Sequence, residues 1–170
     1  MELLRRVLTG DVCMTFWKRK AITIFLLTIP CWTGVIGQTI HCTHADAEKA
    51  DYEASRLRSW DKLYQSYLRY SGCDDGSIGE GYSDSVSQLL ARHWDSFAQA
   101  LPFLRSNAEF YKFILRHIDQ TIANDDLKVI RANAIHFCPT GGNEECRQIS
   151  NAAEHVLRLD GIVFPAKSKR

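Results

Sequence analysis

The sequence predicts an all-α fold: a single-domain bundle of about five helices, tied by disulfides. Three observations predict it. Apolar and aromatic residues recur at spacings of three and four from about residue 46 to residue 159. No stretch shows the period-two alternation of a half-buried strand. Four cysteines, Cys42, Cys73, Cys138 and Cys146, follow a segment that reads as an export signal, and cysteines in an oxidising compartment pair.

The export signal is residues 14–37, MTFWKRKAITIFLLTIPCWTGVIG. Lys18, Arg19 and Lys20 precede an apolar run from Ala21 to Trp32, and small residues lead to Gly37. That three-part pattern belongs to a secretory signal peptide, cut ahead of Gln38 or, alternatively, ahead of Asp46. Residues 1–13 read as an N-terminal extension upstream of a true start at Met14. The whole stretch Ala21–Gly37 is 17 residues and is broken by Pro30, Thr33 and Gly34. A spanning helix needs about 20 apolar residues, so no stable membrane anchor is expected after cleavage. The expected location is the periplasm or the exterior.

The chain is 45% hydrophobic with a net charge of +1, which suits a globular domain and gives no drive toward nucleic acid. Removal of residues 1–37 takes away five basic and two acidic residues, leaving about −2. Three remaining bases, Lys167, Lys169 and Arg170, lie in a basic tail at 165–170, so the domain over 38–164 is mildly acidic.

One long helix is expected from Asp46 to Tyr70, with Leu57, Trp60, Tyr64, Tyr67 and Leu68 on one face. Ser71-Gly72 ends it. A second helix is expected from Asp84 to Leu101, capped by Ser83 and stopped by Pro102, with Val86, Leu89, Leu90, His93, Trp94 and Phe97 inward. Ser106–Glu109 reads as a capping box for a third, which buries Phe110, Phe113, Ile114, His117 and Ile118. Ala123–Asp126 breaks the chain and opens a fourth, lined by Leu127, Ile130, Ala134 and Phe137. Pro139–Asn143 is a turn, and Asn143 caps a fifth helix to Leu159 with Ile149, Ala153, Val156 and Leu157 inward. Ile162, Val163 and Phe164 add a final apolar contact.

This layout constrains the disulfides. An unbroken helix over 46–70 holds its ends about 37 Å apart, whereas bridged Cα atoms must lie within about 7 Å. Cys42 then cannot reach Cys73. If all four cysteines pair, both must bridge to the 138–146 region. The competing arrangement is a local Cys138–Cys146 clip, with the other two free or paired elsewhere.

The segment between the first two helices, SGCDDGSIGEGYSDS at 71–85, carries the candidate binding residues. Asp74, Asp75, Glu80 and Asp84 place four acids in eleven residues, with no base between Arg69 and Arg92. In a calcium-loop register, Ser71, Cys73 and Tyr82 fall where carboxylates are required, so no metal site is assigned. The segment is either a solvated connector or an acidic contact surface for a basic protein partner. Gly81–Ser85 lacks the last glycine and the preceding strand of a serine-nucleophile elbow. His93/Asp95 and His117/Asp119 are two apart on presumed helices and do not face one another, although His93 and His117 could meet across helices. HCTH at 41–44 lacks a second pair of zinc ligands. No catalytic residue, metal or cofactor is assigned.

With CDDGSIGEGYSDSV at 73–86, HID at 117–119 and CP at 138–139, the chain resembles small exported proteins of Gram-negative bacteria without an assigned activity, over residues 56–150. That resemblance implies an exported, cysteine-containing helical domain. In size and build the chain is also similar to periplasmic immunity proteins that neutralise secreted cell-wall-cutting effectors. The leading expectation is a non-catalytic interaction module, of inhibitor or immunity type. The alternatives are a cell-envelope hydrolase using Glu80 with a second acid or His93, and a passive metal binder.

Overall fold

The computed structural model describes residues 41–164; the signal segment, the 1–13 extension and the basic tail lie outside them. The described residues hold seven α-helices and no strand: α1 (His44–Ala54), α2 (Trp60–Tyr70), α3 (Gly76–Ser87), α4 (Leu101–Ser106), α5 (Ala108–Arg116), α6 (Asn124–His136) and α7 (Asn143–Leu159). None is long and apolar enough to cross a membrane. The all-α, disulfide-tied class is as expected, with two more helices than the sequence suggested.

The first extra helix comes from a break in the long helix expected over 46–70. The chain leaves helical form after Ala54 and re-enters at Ser59, whose hydroxyl accepts from Lys62 N–H at 3.4 Å. Ser85, wholly buried on α3, stabilises the break. Its Oγ donates to the Ala54 carbonyl and accepts from Leu57 N–H at 3.1 Å. Two backbone groups orphaned by the break are thereby satisfied without water.

With the helix folded back, the distance argument against Cys42–Cys73 fails. These two residues are bridged with Cα atoms 4.9 Å apart. Cys138 and Cys146 form the second bridge, a local clip across the turn into α7. All four expected cysteines pair, in the connectivity that the long helix would have forbidden.

The second correction concerns residues 75–106. α3 begins at Gly76 rather than Asp84, and Asp75 is its cap, accepting from Gly76 N–H at 2.8 Å. Gly76 sits at φ +52°, where a side chain would be strained. The chain then passes through a π turn (Gln88–Arg92) and a 3-10 segment (Trp94–Gln99) before α4. Pro102 sits in the first turn of α4, where its missing N–H costs nothing, instead of stopping a helix. Ser106 closes α4, and the cap of α5 is Asn107, which accepts from Phe110 N–H at 3.0 Å. The residue before α7 is Gly142, and Asn143 is already helical.

The core centres on an aromatic column. Tyr64 meets Phe110 at 4.9 Å between ring centroids, Tyr67 meets Phe113 at 5.1 Å, and Tyr82 meets Phe113 at 5.0 Å. Trp60 packs edge-on against Phe97 and donates its indole N–H to Ser96. The stripes of α5 to α7 are buried as expected, apart from Phe137, which is 67% exposed at the end of α6. His93 and Leu68 also face solvent. Of the terminal trio, Ile162 and Phe164 pack on the core and Val163 does not.

Candidate functional site

The acidic segment is not an open loop, and its four carboxylates have separate fates. Asp74 turns inward: its side chain is 7% exposed, with Oδ2 3.1 Å from His117 Nε2 and in contact with the Arg116 guanidinium. Asp75 is the exposed cap of α3. Asp84 pairs across to Arg58 at 3.3 Å, with both side chains near half exposure. Glu80 is exposed and makes no ion pair among the described residues. They do not converge on one pocket.

Asp74 instead opens a buried polar chain. His117, 4% exposed, caps the end of α5. Its Nδ1 lies 3.0 Å from Ser83 Oγ, and Ser83 Oγ donates to Asp119 Oδ2 at 2.7 Å. Asp119 Oδ1 accepts from Thr121 N–H at 2.8 Å. His117 and Asp119 do work together, against expectation. α5 ends at Arg116, so the rule that residues two apart on a helix face away no longer governs them. His93 is exposed on another element and does not meet His117.

Electrostatics follow from these contacts. Burial alone would raise the Asp74 carboxyl, but hydrogen bonds and charge from His117, then Arg116, outweigh it and hold Asp74 below the ordinary carboxylate range. Beside it, burial pushes the Tyr82 phenol up to about 12, although Ser66 shares a 2.9 Å hydrogen bond with it.

Chemically, Ser83, His117 and Asp74 have the composition of a hydrolytic triad but not its wiring. Ser83 is 1% exposed within α3, and its single hydroxyl proton is shared among the Gly79 carbonyl at 3.2 Å, Asp119 Oδ2 at 2.7 Å and His117 Nδ1 at 3.0 Å, with Asp119 the nearest acceptor. A hydroxyl that donates to Asp119 cannot also donate to His117, as a nucleophile activated by that imidazole would have to. The chain of contacts instead joins the 74–75 joint, the middle of α3 and the corner after α5.

Among the described residues, hollows open at the surface away from this buried chain. One, of about 420 Å³, is lined by the Cys42–Cys73 bridge, Ala47, Asp75, Ser77 and Ile78. Another, of about 390 Å³, lies between Trp94, Asp95, Ala98, Asn133, Phe137 and Pro139. Among the described residues no three His, Cys, Asp or Glu side chains are grouped to hold a metal ion. His41 and His44 are exposed, and Cys42 of the same motif is bridged.

Sequence reasoning missed Ser83, Arg116, His117 and Asp119 as one unit. Their motifs, GYSDS and HID, were both visible, but nothing local joins residues 34 and 36 positions apart. No family model, curated protein or solved structure matches the chain. Two disulfides mark a non-cytoplasmic, oxidising environment.

Proposed function

We propose that the chain is an exported, non-catalytic interaction module of the periplasm or exterior, of inhibitor or immunity type, which binds a basic protein through α3. The observation that carries this reading is the division of labour within residues 74–84. Asp74 anchors the joint inside the protein, while Asp75 lines the hollow beside the disulfide and Glu80 is exposed farther along α3. Acidic groups on a rigid support favour steering toward a positive surface.

The test uses the immobilised protein and soluble periplasmic and secreted fractions. A basic partner should be retained at low salt and released as salt rises. The Asp75→Asn/Glu80→Gln variant should lose it. Retention unchanged in that variant, or no basic protein retained, would overturn the reading.

A second reading, that of an envelope hydrolase, would require the buried Ser83 hydroxyl to turn from Asp119 to His117 Nδ1, 3.0 Å away. Turnover of cell-wall fragments by the wild type, abolished in a folded Ser83→Ala variant, would support it over the binding module.

A further inference from the structure

The hollow between the 3-10 segment and the end of α6 shares no lining residue with the α3 surface. Its polar lining is made of acceptors. Asp95 is exposed and makes no ion pair or hydrogen bond among the described residues. The Asn133 amide nitrogen donates to the Leu90 carbonyl at 3.0 Å, which fixes the amide and leaves its Oδ1 as the free end. α6 ends at His136 with Phe137 as its cap, and Phe137 and Asn133 both line the hollow, which puts the carbonyl-rich, negative terminus of the helix beside it. The one lining N–H of an aromatic ring, Trp94 Nε1, already donates to the Phe137 carbonyl at 2.8 Å.

The apolar lining is aromatic. Trp94 is half-buried and stacks on Phe97 with centroids 4.5 Å apart, which holds the indole in place. Phe137 is 67% exposed across from it. An apolar residue left that open at the end of a helix gains little from folding.

Aromatic faces, a carboxylate, an amide oxygen and a helix C-terminus all attract positive charge, and none of these acceptors attracts an anion. A guanidinium satisfies the set better than an ammonium. It is planar, stacks on indole, and carries five N–H donors with no acceptor. We propose that this hollow is a docking pocket for an arginine side chain of a protein partner. Trp94 provides the stacking platform, Asp95 the counter-charge and Asn133 a second acceptor. The pocket does not depend on the α3 surface.

The test follows the Trp94 indole N–H resonance of the labelled protein at pH 8, assigned by Trp94→Phe. The probe is the capped tripeptide Gly-Arg-Gly, with its citrulline and lysine analogues as controls. The arginine peptide should give a saturable shift. The neutral citrulline peptide should bind about tenfold more weakly or worse. Asp95→Asn, an isosteric change at an exposed position, should weaken the arginine peptide about two- to fivefold, the range of an exposed ion pair. The Asp75→Asn/Glu80→Gln variant should bind it as the wild type does, which separates this pocket from the α3 surface. No shift, equal binding of citrulline, equal binding of lysine, or loss of binding in the α3 variant would each overturn the proposal.

Discussion

His117 Nε2 lies 3.1 Å from Asp74 Oδ2, with the two side chains only 5% and 7% exposed. This contact crosses 43 positions of sequence and fastens the joint after α2 to the end of α5. Because the carboxylate is held ionised below its ordinary range, the contact makes stability depend on acid. Asp74 has a lowered pKa when folded, so its contribution is complete above the unfolded carboxylate value, near pH 4, and is lost as pH falls through the folded one. Asp74→Asn should cost about 3 kcal/mol at pH 7, the size expected when a buried ion pair loses one partner. Urea denaturation of both proteins at pH 7 and pH 3 should show the gap narrowing in acid. A gap that widens in acid would mean that the contact is not ionic.

Ser83→Ala tests the middle of the same chain. The change leaves His117 Nδ1 and Asp119 Oδ2 without their shared partner inside the protein. The expected loss is about 1–3 kcal/mol. Asp119→Ala on that background should cost less than on the wild type, because the two residues share one interaction. Additive losses in thermal unfolding would show that they act separately.

Gly81→Ala sets helix propensity against space. In an exposed helix the change gains about 1 kcal/mol. Here the new Cβ would lie 2.9 Å from Ala54 Cβ and 3.1 Å from Ser55 N, where α1 ends against α3. Overpacking of this kind costs about 1–3 kcal/mol and reverses the sign. A melting temperature at or above that of the wild type would place α1 farther from α3 than the structure does.

The two bridges differ in what they close. Cys42–Cys73 spans 31 positions and Cys138–Cys146 spans 8. Chain-entropy arguments give about 4 kcal/mol for the first and about 2.5 for the second. Paired Cys→Ala variants, unfolded in urea, should rank in that order. Non-reducing peptide maps should show both bridges in the wild type.

The stripes of α5, α6 and α7 could be read directly because burial repeats along each helix. Phe110, Phe113, Ile114, Leu127, Ile130, Ile149 and Leu157 are all buried, as their spacing suggests. The break at 55–59 could not be read the same way, because Leu57, Trp60 and Tyr64 keep helical spacing across it. A signal was nevertheless present: Ser59 ahead of Trp60, with Asp61 in the first turn, is a helix start. What stabilises the break, Ser85, is 28 positions beyond Leu57 and has no local signature. The acidic segment was found as a composition and misjudged as a shape. Asp75-Gly76 reads equally well as a turn or as a cap followed by a residue at positive φ, and the cap prevails.

The Cys42–Cys73 bridge turns residues 42–73 into a covalent ring that contains all of α1 and α2. α1 buries only Ala50 and Ala54, too little to hold it in place unaided. The ring keeps it beside α3 at a local concentration on the order of millimolar even when it lets go. The linker between α1 and α2, residues 55–59, is pinned by the buried Leu57 and its hydrogen bond to Ser85, so its backbone opens to a protease only when that contact lets go. A cut there opens the ring without releasing a fragment, so a nicked molecule remains one covalent body until its sulfurs are reduced.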